Sequence, residues 1–271
     1  MQSARQERPI GVFDSGIGGL TVAQAITRVL PDEQMIYFGD TAHMPYGDKS
    51  VELIQKYSTR IVRFLLDKYH CKAIVIACNT ASAAAYVELR DALKGEIPVI
   101  NVIDPMVERV VSDANLHHVG IIATLTTIRS GVYQEKLTRR RPDLKYSALA
   151  TPLLAPMIEE GFFENNISNA VLHEYLDSEI LDGIDSLILA CTHYPLIKKE
   201  IEAFYSHQVT VIDSALVVAE KLLHILKKEG LLNSIQQKNN HHFFVSDLSD
   251  HFRKAVKIFY GDEINLEKVT I

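Results

Sequence analysis

The chain has 271 residues, 47% of them apolar and 23% charged, with a formal net charge of −6. That is the make-up of an ordinary globular protein, long enough for one large domain or two modest ones. The acidic balance argues against nucleic acid as a partner, since such proteins present a basic surface.

Residues 1–9 are polar and lack the apolar core of a signal peptide. No stretch reaches the roughly 18–20 apolar residues of a membrane span. The expectation is therefore a cytoplasmic protein without a membrane partner. Three cysteines are an odd number for a disulfide framework, and a reducing compartment disfavours one. If the cysteines matter, chemistry is the better reason.

In chain order, apolar runs at 10–13, 35–38, 73–77, 99–102, 119–123, 186–190, 209–212 and 242–245 read as buried strands. Helical patterns lie between them. In residues 50–69, Val51, Ile54, Ile61 and Leu65 fall on one face, and 248–260 is a second strong helix. Strands that are apolar without alternation, each followed by a helix, predict α/β architecture with parallel-rich sheets covered on both sides. The run Arg139-Arg140-Arg141, after Lys136, reads as a solvated helix end.

A weak repeat runs through these segments. Gly11-Val-Phe-Asp-Ser15 resembles Gly120-Ile-Ile-Ala-Thr124 at an offset of 109, and Ile74-Val-Ile-Ala-Cys78 resembles Leu187-Ile-Leu-Ala-Cys191 at an offset of 113. Two similar α/β domains facing each other across a cleft are expected. The first would be residues 1–103 with a returning tail, 212–271, and the second residues 104–211.

Parallel sheets bind ligands at the carboxyl ends of their strands. The polar groups there are Asp14-Ser15, Asp40-Thr41, Cys78-Asn79-Thr80, Thr124 and Cys191-Thr192-His193. A lone buried cysteine is ordinarily a small hydrophobe, and Cys71, at the end of a helical pattern, reads that way. Cys78 and Cys191 are different because they occupy matching places in the repeat.

A thiol has a reference pKa of about 8.5, so modest changes in surroundings give either thiol or thiolate near neutral pH. Racemisation needs a base on one face of a carbon and an acid on the other, with the roles exchanged in reverse. Two similar groups from two similar halves suit that task. Asp14 is a candidate partner for Cys78, with a helix N-cap as its structural alternative, and His193 for Cys191. The repeat position of Asp14 is Ala123, so the second half needs its helper elsewhere.

The glycines of residues 14–21 suggest room for a small anionic ligand at a helix N-terminus. They do not complete a dinucleotide fingerprint, because Thr21 stands at its last position. Residues 44–50 read as a turn, serving as a lid or a plain connection. Two other chemistries remain open: thioester hydrolysis through Cys191 and His193, and a zinc site of Cys78, Cys191 and His193, which no CxxC or HxxxH supports.

Four stretches together resemble the aspartate/glutamate racemase family: Gly11-Val-Phe-Asp-Ser-Gly-Ile-Gly-Gly-Leu-Thr-Val22, Tyr37-Phe-Gly-Asp-Thr-Ala-His-Met-Pro-Tyr-Gly-Asp-Lys-Ser50, Ala77-Cys-Asn-Thr-Ala81 and Leu189-Ala-Cys-Thr-His-Tyr-Pro-Leu196. The resemblance implies conversion of L-glutamate to D-glutamate for peptidoglycan, without pyridoxal phosphate or metal, by two facing α/β domains that frequently form a homodimer. It makes Cys78 and Cys191 the proton donor/acceptors, with Cys78 serving D-glutamate and Cys191 serving L-glutamate. Asp14, Ser15, Tyr46, Gly47, Asn79, Thr80, Thr192 and His193 match substrate-contacting positions, and Thr124 and Thr127 fit weaker contacts. Glu159 matches a further acidic helper beside the second cysteine, with Glu160 adjacent. The family often has cysteine before Pro152, where this chain has Thr151. Aspartate or another amino acid is the alternative substrate.

Overall fold

A computed structural model describes residues 5–233 and 240–271. Residues 1–4 of the polar start and 234–239 of the tail lie outside the described residues. The strands, in chain order, are β1 (Ile10–Asp14), β2 (Met35–Gly39), β3 (Ala73–Ile76), β4 (Val99–Asn101), β5 (His118–Ala123), β6 (Lys145–Ala150), β7 (Ser186–Ala190), β8 (Thr210–Asp213), β9 (His242–Val245) and β10 (Leu266–Lys268). The helices that concern the site are α1 (Leu20–Val29), α2 (Val51–Tyr69), α3 (Asn79–Ala92), α4 (Leu154–Glu159), α5 (Ser214–Lys228) and α6 (Asp250–Tyr260).

Two sheets form, and every strand pair in them is parallel. The first has the order β10-β9-β2-β1-β3-β4 and the second β6-β5-β7-β8. The second order reproduces β2-β1-β3-β4 of the first, which accounts for the repeat in the sequence. Its glycines have a packing reason. A Cβ on Gly11 would stand 2.8 Å from Ile74 Cδ1, and one on Gly120 would stand 3.0 Å from Leu187 Cδ1. Ile74 and Leu187 are themselves repeat equivalents, so each half keeps the same bare spot under the same side chain.

The absence of alternation in the strands follows from burial on both faces. In β1, Ile10 and Val12 join the core cluster that contains residues of α1, α5 and α6, whereas Phe13 joins the cluster built with residues of α2 and α3. The ends of α2 are locally encoded. Ser50 accepts the Leu53 N–H at its start, and His70 adopts a left-handed conformation (φ 53°) past its end. Helix α6 begins at Asp250, two residues later than the sequence pattern, because Ser249 is its cap.

The basic run is more than a solvated helix end. Arg139 is exposed beside Glu135, but the Arg141 guanidinium donates to the carbonyls of Asp113 (2.7 Å) and Leu116 (2.6 Å). Among the described residues, no helix is long and apolar enough to cross a membrane.

Candidate active site

In each sheet the chain reverses direction of winding beside the first strand of the half, leaving a crevice at the strand ends. In the first sheet this lies between β1 and β3, where Asp14-Ser15 and Cys78 emerge. In the second it lies between β5 and β7, where Thr124 and Cys191 emerge. The two crevices open into one cavity of about 240 Å³, lined by both thiols.

Cys78 is the N-cap of α3, and its sulfur accepts the Ala81 N–H at 3.3 Å. The thiol donates towards Ser15 Oγ at 3.5 Å. Burial, and secondarily the negative charge of Asp14, push this thiol up to about 12. These surroundings favour the protonated thiol at Cys78.

The other thiol has different company. His193 Nδ1 lies 3.5 Å from Cys191 Sγ, and its Nε2 lies 2.7 Å from Glu159 Oε1. Burial alone would lower the imidazole pKa, but the contacts with Cys191 and Glu159 carry it well above the ordinary histidine value. The imidazole thus bridges the Cys191 sulfur and the Glu159 carboxylate. Glu159 ends α4 and faces the cavity, whereas Glu160 is exposed outside it.

Of the residues singled out in the sequence, Ser15, Tyr46, Gly47, Cys78, Asn79, Thr80, Thr124, Glu159, Cys191, Thr192 and His193 line the cavity. Asp14 and Thr127 stand behind the wall, fully or almost fully buried. Asp14 Oδ2 accepts the Gly16 N–H at 2.9 Å, and burial raises its carboxyl while His193 and nearby backbone N–H groups oppose that rise. Its link to Cys78 is thus through charge. The hydroxyls of Thr80, Thr124 and Thr127 form a ring with separations of 2.9, 3.3 and 3.0 Å, joining the two halves. Tyr133 Oη also crosses, donating to Asn79 Oδ1 at 3.0 Å.

Beside Gly18 and Gly19 the room expected in residues 14–21 is taken by the protein itself, whereas Gly16 has only ordinary contact with Met44. Tyr37 Oη donates to the Gly16 carbonyl at 3.0 Å, and Asp14 and His193 crowd the remaining space. Sequence reasoning missed Met44, Pro45, Asp48, Leu125, Pro152, Ala155 and Pro156 on the cavity wall. The last three follow β6, a strand whose mixed composition hid it; with β6 recognised, the strand-end rule would have found them.

The turn at residues 44–50 contributes the wall rather than a plain connection. It contains a 3₁₀ turn, Tyr46–Asp48, and Thr126 Oγ1 donates to the Gly47 carbonyl from the opposite half at 2.5 Å. Tyr46 Oη donates to Asp40 Oδ2 at 2.6 Å, and Ser246 Oγ donates to the other carboxylate oxygen at 2.8 Å. Tyr46→Phe is expected to cost about 1–3 kcal/mol in urea denaturation, because a buried carboxylate oxygen loses its donor. A loss indistinguishable from zero would mean that water replaces the hydroxyl.

The fold and the site define a class: enzymes in which two like α/β halves present one thiol each to a shared cavity. A sequence profile of the Asp/Glu/Hydantoin racemase family matches residues 10–222. The glutamate racemase of Neisseria meningitidis serogroup C is 43% identical over 261 residues, 96% of each chain. That of Chlorobaculum tepidum is 42% identical over 258 residues, covering 95% of this chain and 94% of the other. The crystal structure of Francisella tularensis glutamate racemase in complex with D-glutamate superposes with a TM-score of 0.91 at 41% identity, covering 98% of both chains. The chain belongs to the Asp/Glu/Hydantoin racemase family, and by class it is an isomerase.

Among the described residues, no group of three His, Cys, Asp or Glu side chains is placed to hold a metal ion. The zinc reading therefore lacks a ligand set there.

Proposed function

We propose that this racemase interconverts L- and D-glutamate by two-base proton transfer at Cα, with Cys78 and Cys191 as the alternating acid and base and no cofactor. The observation that carries this reading is the placement of two repeat-related thiols on one small cavity, one with an acidic neighbour and one with a cationic neighbour. The relatives' names and the D-glutamate complex support glutamate as the substrate.

The two thiols have different neighbours, which suits one to begin as acid and the other as base. His193 Nδ1 stands 3.5 Å from Cys191 Sγ, placed to exchange a proton with it, and burial favours the protonated thiol at Cys78. With L-glutamate, Cys191 Sγ takes the α-proton and the electron pair stays on the substrate carbanion. Cys78 then delivers its proton to the opposite face of Cα. Return of the D-enantiomer runs the same transfers backwards. An acid/base pair typically contributes about 10²–10⁴-fold. Orientation of the substrate and displacement of water from the cavity as it binds supply further acceleration. The backbone N–H groups, Ser15, Asn79, Thr80, Thr124 and Thr192 are the polar groups available for substrate carboxylates and ammonium.

Incubation in D₂O with L-glutamate should give D-glutamate carrying deuterium at Cα. Product without the label would sink proton transfer from solvent-exchanging thiols. Turnover of L-aspartate at a rate matching or exceeding that of L-glutamate would move the assignment to aspartate.

The Cys191–His193–Glu159 alignment also matches a nucleophile, base and orienting acid, so a thioester hydrolase is the second reading. That scheme needs one cysteine only. The rest of the proposal concerns the cell: D-glutamate supply for peptidoglycan, in the cytoplasm, by a homodimer whose protomers divide into residues 1–103 with 212–271 and residues 104–211. The family resemblance supports these points. Sedimentation at micromolar concentration tests the dimer, and a single species of monomer mass would remove it.

A further inference from the structure

We propose that His193 is seated by elements of the other sheet's half, between Gly18 and Phe259, so that the Cys191 arm is assembled only by contact between the halves. The inference deepens the two-thiol reading and rests on it for what the seating accomplishes in turnover.

Gly18 lies in the loop between β1 and α1. A methyl group there would stand 2.5 Å from His193 Cε1, 2.6 Å from His193 Nδ1 and 2.6 Å from Thr192 Oγ1. Real side chains do not pack that closely, so the imidazole occupies the space that the glycine leaves empty. The backbone of Gly18 is not in the left-handed region, and alanine is conformationally allowed. The constraint is therefore the approach of His193 and Thr192, not the local backbone.

On its other flank the imidazole meets the Phe259 ring edge to face, with centroids 5.2 Å apart and planes at 85°. Phe259 is 2% exposed and belongs to α6, which packs on α1. The ring therefore has little room to swing away from an intruding methyl. Thr21, at the start of α1, completes the dock: its hydroxyl lies 3.1 Å from the Thr192 carbonyl and 2.9 Å from that of Gly18.

Cys78 is built differently. Its direct contacts, Ser15 and Ala81, come from the same sheet's own loops and helix. One thiol thus has a self-contained setting. The other depends on a histidine from its own half that is held in place by the opposite half. Docking of the halves and seating of the imidazole beside Cys191 are the same event in this geometry.

The test uses the full chain with Gly18→Ala, and Phe259→Leu as a second variant. Ligand-free protein is treated with iodoacetamide near neutral pH, and both cysteine peptides are quantified by mass in the same sample. The Cys191-to-Cys78 labelling ratio corrects for any global change in stability. In Gly18→Ala the ratio is expected to fall about tenfold, because a displaced imidazole no longer stands beside Cys191 Sγ to activate it for attack. Phe259→Leu should lower it in the same direction by less.

An unchanged or raised ratio in folded Gly18→Ala overturns the seating, even if turnover is lost. If that variant shows no cooperative melt, an unchanged ratio in Phe259→Leu overturns it instead. Failure of the two-thiol reading is separately visible: Cys78→Ser would keep its turnover whatever the labelling ratio reports.

Discussion

Serine at Cys78, and separately at Cys191, is expected to lower racemisation in both directions by about 10²–10⁴-fold, the range of a positioned acid/base group. A serine hydroxyl keeps the size and hydrogen-bonding sense of the thiol but cannot reach the anion near neutral pH. The local fold should survive. Cys78 caps α3 by accepting the Ala81 N–H, and serine is among the favoured residues at that position. Each variant should therefore melt close to the parent while losing turnover. Initial rates from L- and D-glutamate, followed by circular dichroism, give the measurement. If Cys78→Ser kept near-normal rates while Cys191→Ser lost them, the one-cysteine hydrolase reading would replace the racemase mechanism.

Most of the strands that sequence reading located are buried along nearly their whole length, because burial and apolar composition are then the same signal. The two it missed are both sheet edges. Strand β6, Lys145-Tyr-Ser-Ala-Leu-Ala150, is nowhere fully buried, and β10 has only three residues. An edge strand facing solvent has no reason to be continuously apolar.

The site was legible for a related reason. Cys78, Thr124 and Cys191 follow apolar runs directly, so the strand-end rule finds them without any tertiary information. What local sequence does not contain is the partner of each thiol. The sequence offered Asp14, at the end of the first strand, for Cys78 and His193, two residues past Cys191, for the other thiol, and the geometry gives them different roles. His193 touches Cys191 and Glu159, whereas Asp14 acts on Cys78 through charge from behind the wall. The missing counterpart of Asp14 at Ala123 is thereby explained, since Glu159 reaches the second thiol through His193 rather than from a strand end.

The carboxyl ends of the strands hold the chemistry, and their amino ends hold a buried ion pair whose loss should be the largest stability effect outside the site. Lys72 Nζ lies 2.5 Å from Glu33 Oε2 and 2.5 Å from the Gln6 carbonyl, and the side chains of the pair are 0% and 3% exposed. Glu33 Oε1 accepts the Asn233 N–H at 2.8 Å. Gln6 precedes β1, Glu33 precedes β2 and Lys72 precedes β3, so one pair ties together the entry of three adjacent strands and the segment after α5. Removing one partner leaves a buried charge without its counter-ion, which typically costs about 3–5 kcal/mol. Lys72→Met should show that loss in urea denaturation, with KM for glutamate unchanged in the folded protein because the cavity is at the opposite strand ends. The double variant Lys72→Met/Glu33→Leu should recover much of the loss, since replacing both charges by apolar groups is often neutral. A single variant as stable as the parent would show that water reaches this pair, and that the three strand entries are held by packing alone.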